Sequence, residues 1–261
     1  MTGLSVVLAG LAGSMVAGLA TGLGALVIFW RPRIGELSQA LMLAAAAGVM
    51  LAATVFSLTV PALQIFEART ASPLAGVILA GAGLTIGALA IWLVHSNVPH
   101  EHFVKGPEGA TGIAHLGRHW LFILAITLHN FPEGMSVGVS FGGDRIDNGI
   151  AVTIGIGLQN LPEGLAVAAA LVAEGTARWR AFLIALLTGM VEPVGGLVGA
   201  AAAGFGDTLL PWAFAFAAGA MLFVISGEII PETHAKGREH RATFALVMGF
   251  VTMMVLDVAL G

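Results

Sequence analysis

The string His129-Asn130-Phe131-Pro132-Glu133-Gly134 is followed thirty residues later by Gln159-Asn160-Leu161-Pro162-Glu163-Gly164. On a helix, positions four apart share a face, so His129 pairs with Glu133 and Gln159 with Glu163, and each pair can hold one ion between its side chains. Asn130 and Asn160 stand three residues before the same glutamates. Imidazole, carboxylate and amide oxygen together form a borderline-hard donor set, suited to zinc, iron(II), manganese or cadmium. Pro132 removes the donor that the Leu128 carbonyl would use, and Pro162 does the same to Leu158. Loosened carbonyls and a kinked, broken helix are therefore expected beside each pair.

The elements that position these residues are apolar. Hydrophobic residues make up 57% of the 261-residue chain and charged residues 10%, too little charge to cover a soluble surface. The apolar runs are long enough to cross hydrocarbon as helices, which takes about 20 residues. Continuous runs, without the alternation of a barrel, leave α-helices as the spanning structure, so the fold class expected is all-α and polytopic. Eight spans follow, near 4–30, 37–65, 74–95, 119–142, 149–173, 181–204, 210–230 and 243–260, forming one transmembrane domain over 1–261. The opening run has no basic stretch before it and reads as a retained span rather than a cleaved signal. Nine of the eleven basic residues fall in alternate loops, Arg69 and Arg145 being the exceptions, which places both termini outside the cytoplasm.

The two strings then lie near the middle of consecutive antiparallel spans, related by a pseudo-two-fold axis in the membrane plane, and two copies of one motif build one site. A carboxylate at mid-depth costs on the order of 2.5–3.5 kcal/mol, and Glu133, Glu163 and Glu192 all fall there. No Lys or Arg lies near the middle of any span, so protons or a bound cation must compensate, and protons alone do not explain His129. Glu192, in Val191-Glu192-Pro193-Val194-Gly195-Gly196, repeats the carboxylate-proline-glycine order. Met50 offers a soft sulfur, although a lone Met among apolar residues is more often core. Glu228 and His234 end the seventh span as an exit site or, equally, as capping and solvated charge.

The loop 96–118 holds His100, His102 and His115, with His95 and His119 at its edges, and reads as a metal-collecting cytoplasmic segment or as a linker with incidental histidines. Small residues four apart, such as Gly134/Gly138/Gly142, Gly83/Gly87 and Gly195/Gly199, indicate close helix packing. Net charge is −4 with no basic stripe, which excludes nucleic acid as a partner. Cysteine is absent, removing thiolate metal sites, disulfides and cysteine nucleophiles.

The paired HNFPEG and QNLPEG strings, followed by VEPVGG, closely resemble the ZIP family of metal transporters, especially its bacterial GufA-like branch. The resemblance implies an eight-helix carrier taking divalent metal into the cytoplasm across a plasma or bacterial inner membrane. It implies a first metal position at His129, Glu133, Gln159 and Glu163 with Met50 nearby, and a second at Asn130, Glu133, Asn160, Glu163 and Glu192. Some relatives carry a carboxylate where Asn160 stands, so charge at the second position is lower here. Glu228 and Asp257 resemble carboxylates on the family's exit and entrance routes, where His95, His100, His102 and His234 are further candidates.

Zinc is the cargo expected first, with cadmium, iron(II) or manganese as alternatives and one or two ions held. The partners expected are the metal ions and the lipid bilayer, with a homodimer left open. By the same resemblance the fourth and fifth helices belong to a bundle that moves against the rest. Rival readings are a metal-selective channel and a proton-coupled carrier of a small solute. An intramembrane metallo-hydrolase is disfavoured because no H-E-x-x-H arrangement occurs.

Overall fold

A computed structural model describes residues 3–31, 35–98, 100–102, 106–108, 118–142, 146–173, 175–204 and 208–260. Seven helices among them are long and apolar enough to cross a membrane: α1 (Leu4–Phe29), α2 (Glu36–Thr70), α3 (Pro73–Asn97), α5 (Ile146–Ala173), α6 (Arg178–Gly204), α7 (Leu210–His234) and α8 (Glu239–Ala259). Between α3 and α5 runs α4 (Arg118–Ser140), whose 23 residues also reach across a bilayer and which carries the first motif. The all-helical polytopic class read from composition is the one found. Each expected span coincides with one of these helices, although the first, fourth and eighth run one or two residues past its end and α2 continues to Thr70.

The helices pack as two groups. In the first, α1 lies against α5 and α6, and α4 against α6; in the second, α2 lies against α8 and α3 against α7. Without a hydrophobic force between helices in lipid, closeness must come from small residues, and glycines supply it here. A Cβ on Gly24 or Gly164 would strike the carbonyls of Leu161 or Thr21, which locks α1 to α5. Gly134 and Gly195 meet the backbones of Glu192 and Phe131 between α4 and α6, and Gly48 and Gly249 do the same between α2 and α8. Across the seam between the groups the contacts change kind: Gly155 of α5 faces the Met253 side chain of α8. At these glycines backbone meets backbone within each group, while at Gly155 a side chain fills the gap between them.

The expected breaks at Pro132 and Pro162 are not where the backbone departs from α geometry, since both prolines sit inside continuous α-helix. Each removes only one internal bond, and no water competes for the neighbouring groups in hydrocarbon. The departures lie elsewhere. Helix α2 widens into a π segment over Ala53–Thr59 just before Pro61, and α7 does so over Ile225–Ile229 just before Pro231. Pro61 cannot donate to the Ser57 carbonyl, and the side-chain amide of Asn148 from α5 donates to it instead, at 3.2 Å. Helix α6 is interrupted at Met190–Val191, between Arg178–Gly189 and Glu192–Gly204, where Pro193 prevents a continuous ladder.

Two described segments of the histidine-bearing loop form a short hairpin. His100–His102 pairs antiparallel with Gly106–Glu108, with His100 opposite Glu108 and His102 opposite Gly106. His115 lies outside the described residues.

If glycine contact sets the spacing of α1 and α5, Gly164→Ile forces the pair apart. Overpacking of this kind costs about 1–3 kcal/mol. The expected outcome is a lower thermal unfolding midpoint for the purified protein in detergent, and an unchanged midpoint would contradict the packing described.

Candidate metal centre

Both motifs face inward, because the helices that carry them are wedged between neighbours on their glycine faces. His129, Asn130, Glu133, Gln159, Asn160, Glu163 and Glu192 are all buried, and the Glu133 and Glu192 side chains are 0% exposed. The charges of Glu163 and Glu192 act on Glu133, and that of Glu163 also acts on His129, so the three carboxylates and the imidazole form one electrostatic cluster. Glu192 opens the second half of α6. That helix N-terminus favours a negative charge. Its Oε1 accepts from Asn160 Nδ2 at 2.6 Å, and the same amide donates to the Ala17 carbonyl of α1 at 2.8 Å.

Hydrogen bonds leave much of this cluster unanswered. Both oxygens of Glu133, both polar atoms of Asn130 and of Gln159, Oδ1 of Asn160 and Oε2 of Glu192 are buried without a well-formed hydrogen bond among the described residues, the nearby Gln159 amide being the one group that eases the Glu133 charge. Buried polar groups are normally paired, and an orphaned carboxylate is the costliest exception. Four residues donated by α4 and α5 together with Glu192 of α6 thus present oxygen and nitrogen atoms suited to a divalent cation of the zinc type.

The structure adds a second cluster to the first. His129 Nε2 lies 2.5 Å from Glu228 Oε2 of α7, and His95 Nδ1 of α3 lies 2.5 Å from Glu228 Oε1. The two imidazoles stack at 6.0 Å with an 18° interplanar angle, and Phe223 closes the far side of His95 edge-on at 5.6 Å. One ligand atom from each of His95, His129 and Glu228 falls within 4.8 Å of the others, and all three residues are buried. The π segment of α7 contains Glu228, and its wider turn carries this carboxylate at the seam with α4. His129 therefore meets Glu228 directly and also feels the charge of Glu163.

The remaining sequence candidates lie on α2, α7, α8 and the short hairpin. Met50 is buried in the apolar cluster with Val152 and Ile156. His234 is engaged at the end of α7, its Nδ1 3.0 Å from the Ile230 carbonyl and its Nε2 3.1 Å from Thr243 Oγ1. Asp257 accepts from Ser57 Oγ at 2.6 Å, which ties α8 to the π segment of α2. His100 and His102 lie on the short hairpin, which packs against α4. Sequence reasoning placed Glu228 and His95 only along routes, and the structure brings both to His129. The available signal was a carboxylate inside an apolar span, which is by default a functional residue with a partner to be named.

Taken together, an all-helical membrane bundle with unpaired carboxylates, an imidazole and amides gathered in its interior defines a class: polytopic proteins that hold a cation within the bilayer. The sequence pattern described as ZIP zinc transporter matches residues 95–257. Over 257 residues, 97% of this chain and 99% of the relative, the sequence is 46% identical to "Zinc transporter GufA" of Myxococcus xanthus. It is 43% identical to "Zinc transporter ZIPB" of Bordetella bronchiseptica over 93% of this chain and 78% of that one. It is 33% identical to "Zinc transporter ZupT" of Akkermansia muciniphila over 92% of this chain and 93% of the relative. The chain belongs to the ZIP zinc transporter family.

If His95 and Glu228 are ligands, Glu228→Gln and His95→Ala each weaken zinc binding to the purified protein. The expected loss is at least about tenfold, the lower bound seen for outer-shell partners of metal sites. Titration calorimetry that returned wild-type affinity for both variants would remove them from the ligand set.

Proposed function

We propose that this protein carries divalent transition-metal ions, zinc first among them, across a plasma or bacterial inner membrane into the cytoplasm. The observation that carries the reading is the set of buried and unpaired side-chain atoms of Glu133, Asn130, Gln159 and Glu192, in a bundle interior whose described helices bring no Lys or Arg to them. A passing cation supplies the charge that these groups lack. The family relatives named as zinc transporters support zinc as cargo. Iron(II), manganese and cadmium suit the same donors. The alternation of basic loops supports an orientation with both termini outside the cytoplasm.

Two adjoining donor sets suggest the route. One set is His129, Glu133, Gln159, Glu163, Asn160 and Glu192 with Asn130, with Met50 retained as a soft ligand; the other is His95, His129 and Glu228. His129, common to both, passes an ion from the first to the second. Because Glu133 and Glu192 are fully buried, access to the first set requires a rearrangement, which favours a carrier over a standing channel. The two helix groups provide one: each has helices brought backbone to backbone at Gly24, Gly134, Gly48 and Gly249, and Gly155 meets the Met253 side chain across the seam. Motion of α1, α4, α5 and α6 against the other four helices then exposes the site to one face at a time.

Three experiments test this reading. Glu133→Ala and Glu163→Ala should abolish equilibrium zinc binding by the purified protein; unchanged stoichiometry would falsify the site. In reconstituted vesicles, zinc flux should saturate with concentration. The natural chain has no cysteine, so Cys placed at Ser57 and Asn148 provides a clean cross-link across the seam. Cross-linking should stop flux, and undiminished flux would exclude the motion.

A further inference from the structure

We propose that a groove opening sideways at the seam binds a glycerophospholipid of the surrounding bilayer, with an acyl chain in the groove and the phosphate on Arg69. The groove encloses about 300 Å³ and is walled by Ile86 of α3, Met135 and Val139 of α4, Val198 of α6, and Leu209 and Trp212 where α7 begins. Its origin is the packing of the two groups. On one side Gly199 of α6 sits directly on the Met135 carbonyl of α4, and on the other Gly83 of α3 sits against Ala215 of α7. Each pair is locked within its own group, so the two walls face one another across a gap.

The occupant follows from the lining and from the rim. Every wall side chain is apolar, so water inside would find no partners, whereas hydrocarbon is at home. Ile86, Val198 and Leu209 are 52%, 47% and 41% exposed, which leaves the groove open along the lipid-facing surface. At one end the chemistry changes. Thr208, next to Leu209, accepts a hydrogen bond through its carbonyl from Arg69 Nη1 at 3.3 Å, and Arg69 is otherwise exposed. Phe66, just before it on α2, stacks edge-on against Trp212 at 5.1 Å.

An arginine beside aromatic rings at helix ends is the make-up of the bilayer interface. A guanidinium has five N–H donors and suits phosphate oxygens in pairs. A basic group at the mouth of an apolar cleft between spanning helices is the arrangement that holds a lipid headgroup. An acyl chain seated there stands between α3 and α7 on one side and α4 and α6 on the other, so the lipid becomes part of the seam.

The test uses the full-length protein in bilayer discs containing phosphatidylglycerol with a photoreactive group on one acyl chain. After irradiation, labelled peptides are mapped. The expected result is label concentrated on Ile86, Val198 and Trp212, above the level at the lipid-facing Leu4 and Phe244, which are 71% and 74% exposed. Arg69→Gln should lower groove labelling severalfold, because it removes the paired, charge-assisted donors to the phosphate. Val198→Trp, at an exposed wall position, should fill the groove and bring its labelling down to the background at Leu4. Label spread evenly over lipid-facing residues in the wild-type protein would overturn the proposal, and so would cross-links through Ile86 or Val198 to a second copy of the chain.

Discussion

Much of this protein is arranged around carboxylates buried inside a bundle of membrane-spanning helices. A charge there costs a few kcal/mol even on lenient scales, and four such groups, Glu133, Glu163, Glu192 and Glu228, are buried together. Only part of that cost is met by the chain itself. The start of the second half of α6 and one amide of Asn160 serve Glu192, and two imidazoles serve Glu228. Glu133 receives neither. A cluster held short of complete satisfaction can take a cation and also let it go, because full compensation by fixed arginines or lysines would leave nothing for the ion to do.

Much of this was legible in the sequence. Apolar runs gave the eight spans, since hydrocarbon permits only helices of that length. The repeated motif pointed to His129, Glu133, Gln159 and Glu163 through spacing alone, and the structure buries all four in one cluster. The glycine patterns marked which faces would touch. Long-range pairing was not legible. Nothing in the local pattern around His95 or Glu228 reveals that α3 and α7 converge on His129, because that depends on how two helix groups meet.

The prolines show the same limit from the other side. Pro132 and Pro162 were expected to break their helices, yet both helices continue, while Pro61, Pro193 and Pro231 accompany the actual irregularities. A proline removes one donor wherever it stands. Whether the helix bends, widens or carries on is decided by which neighbour answers the freed carbonyl, as Asn148 answers Ser57.

The two widened turns have a consequence for how the chain tolerates change in length. A π turn is an α-helix with one residue too many, so excising a single residue from Ile225–Ile229 would restore ordinary winding at little local cost. The flanking halves of α7 would keep their bearing, whereas the same excision from ordinary α-helix would rotate everything beyond it by about 100° around the helix axis. What the widened turn decides is the bearing of Glu228, which lies inside it and meets His129. A one-residue deletion here would thus redirect that one carboxylate and leave both ends of the helix in place.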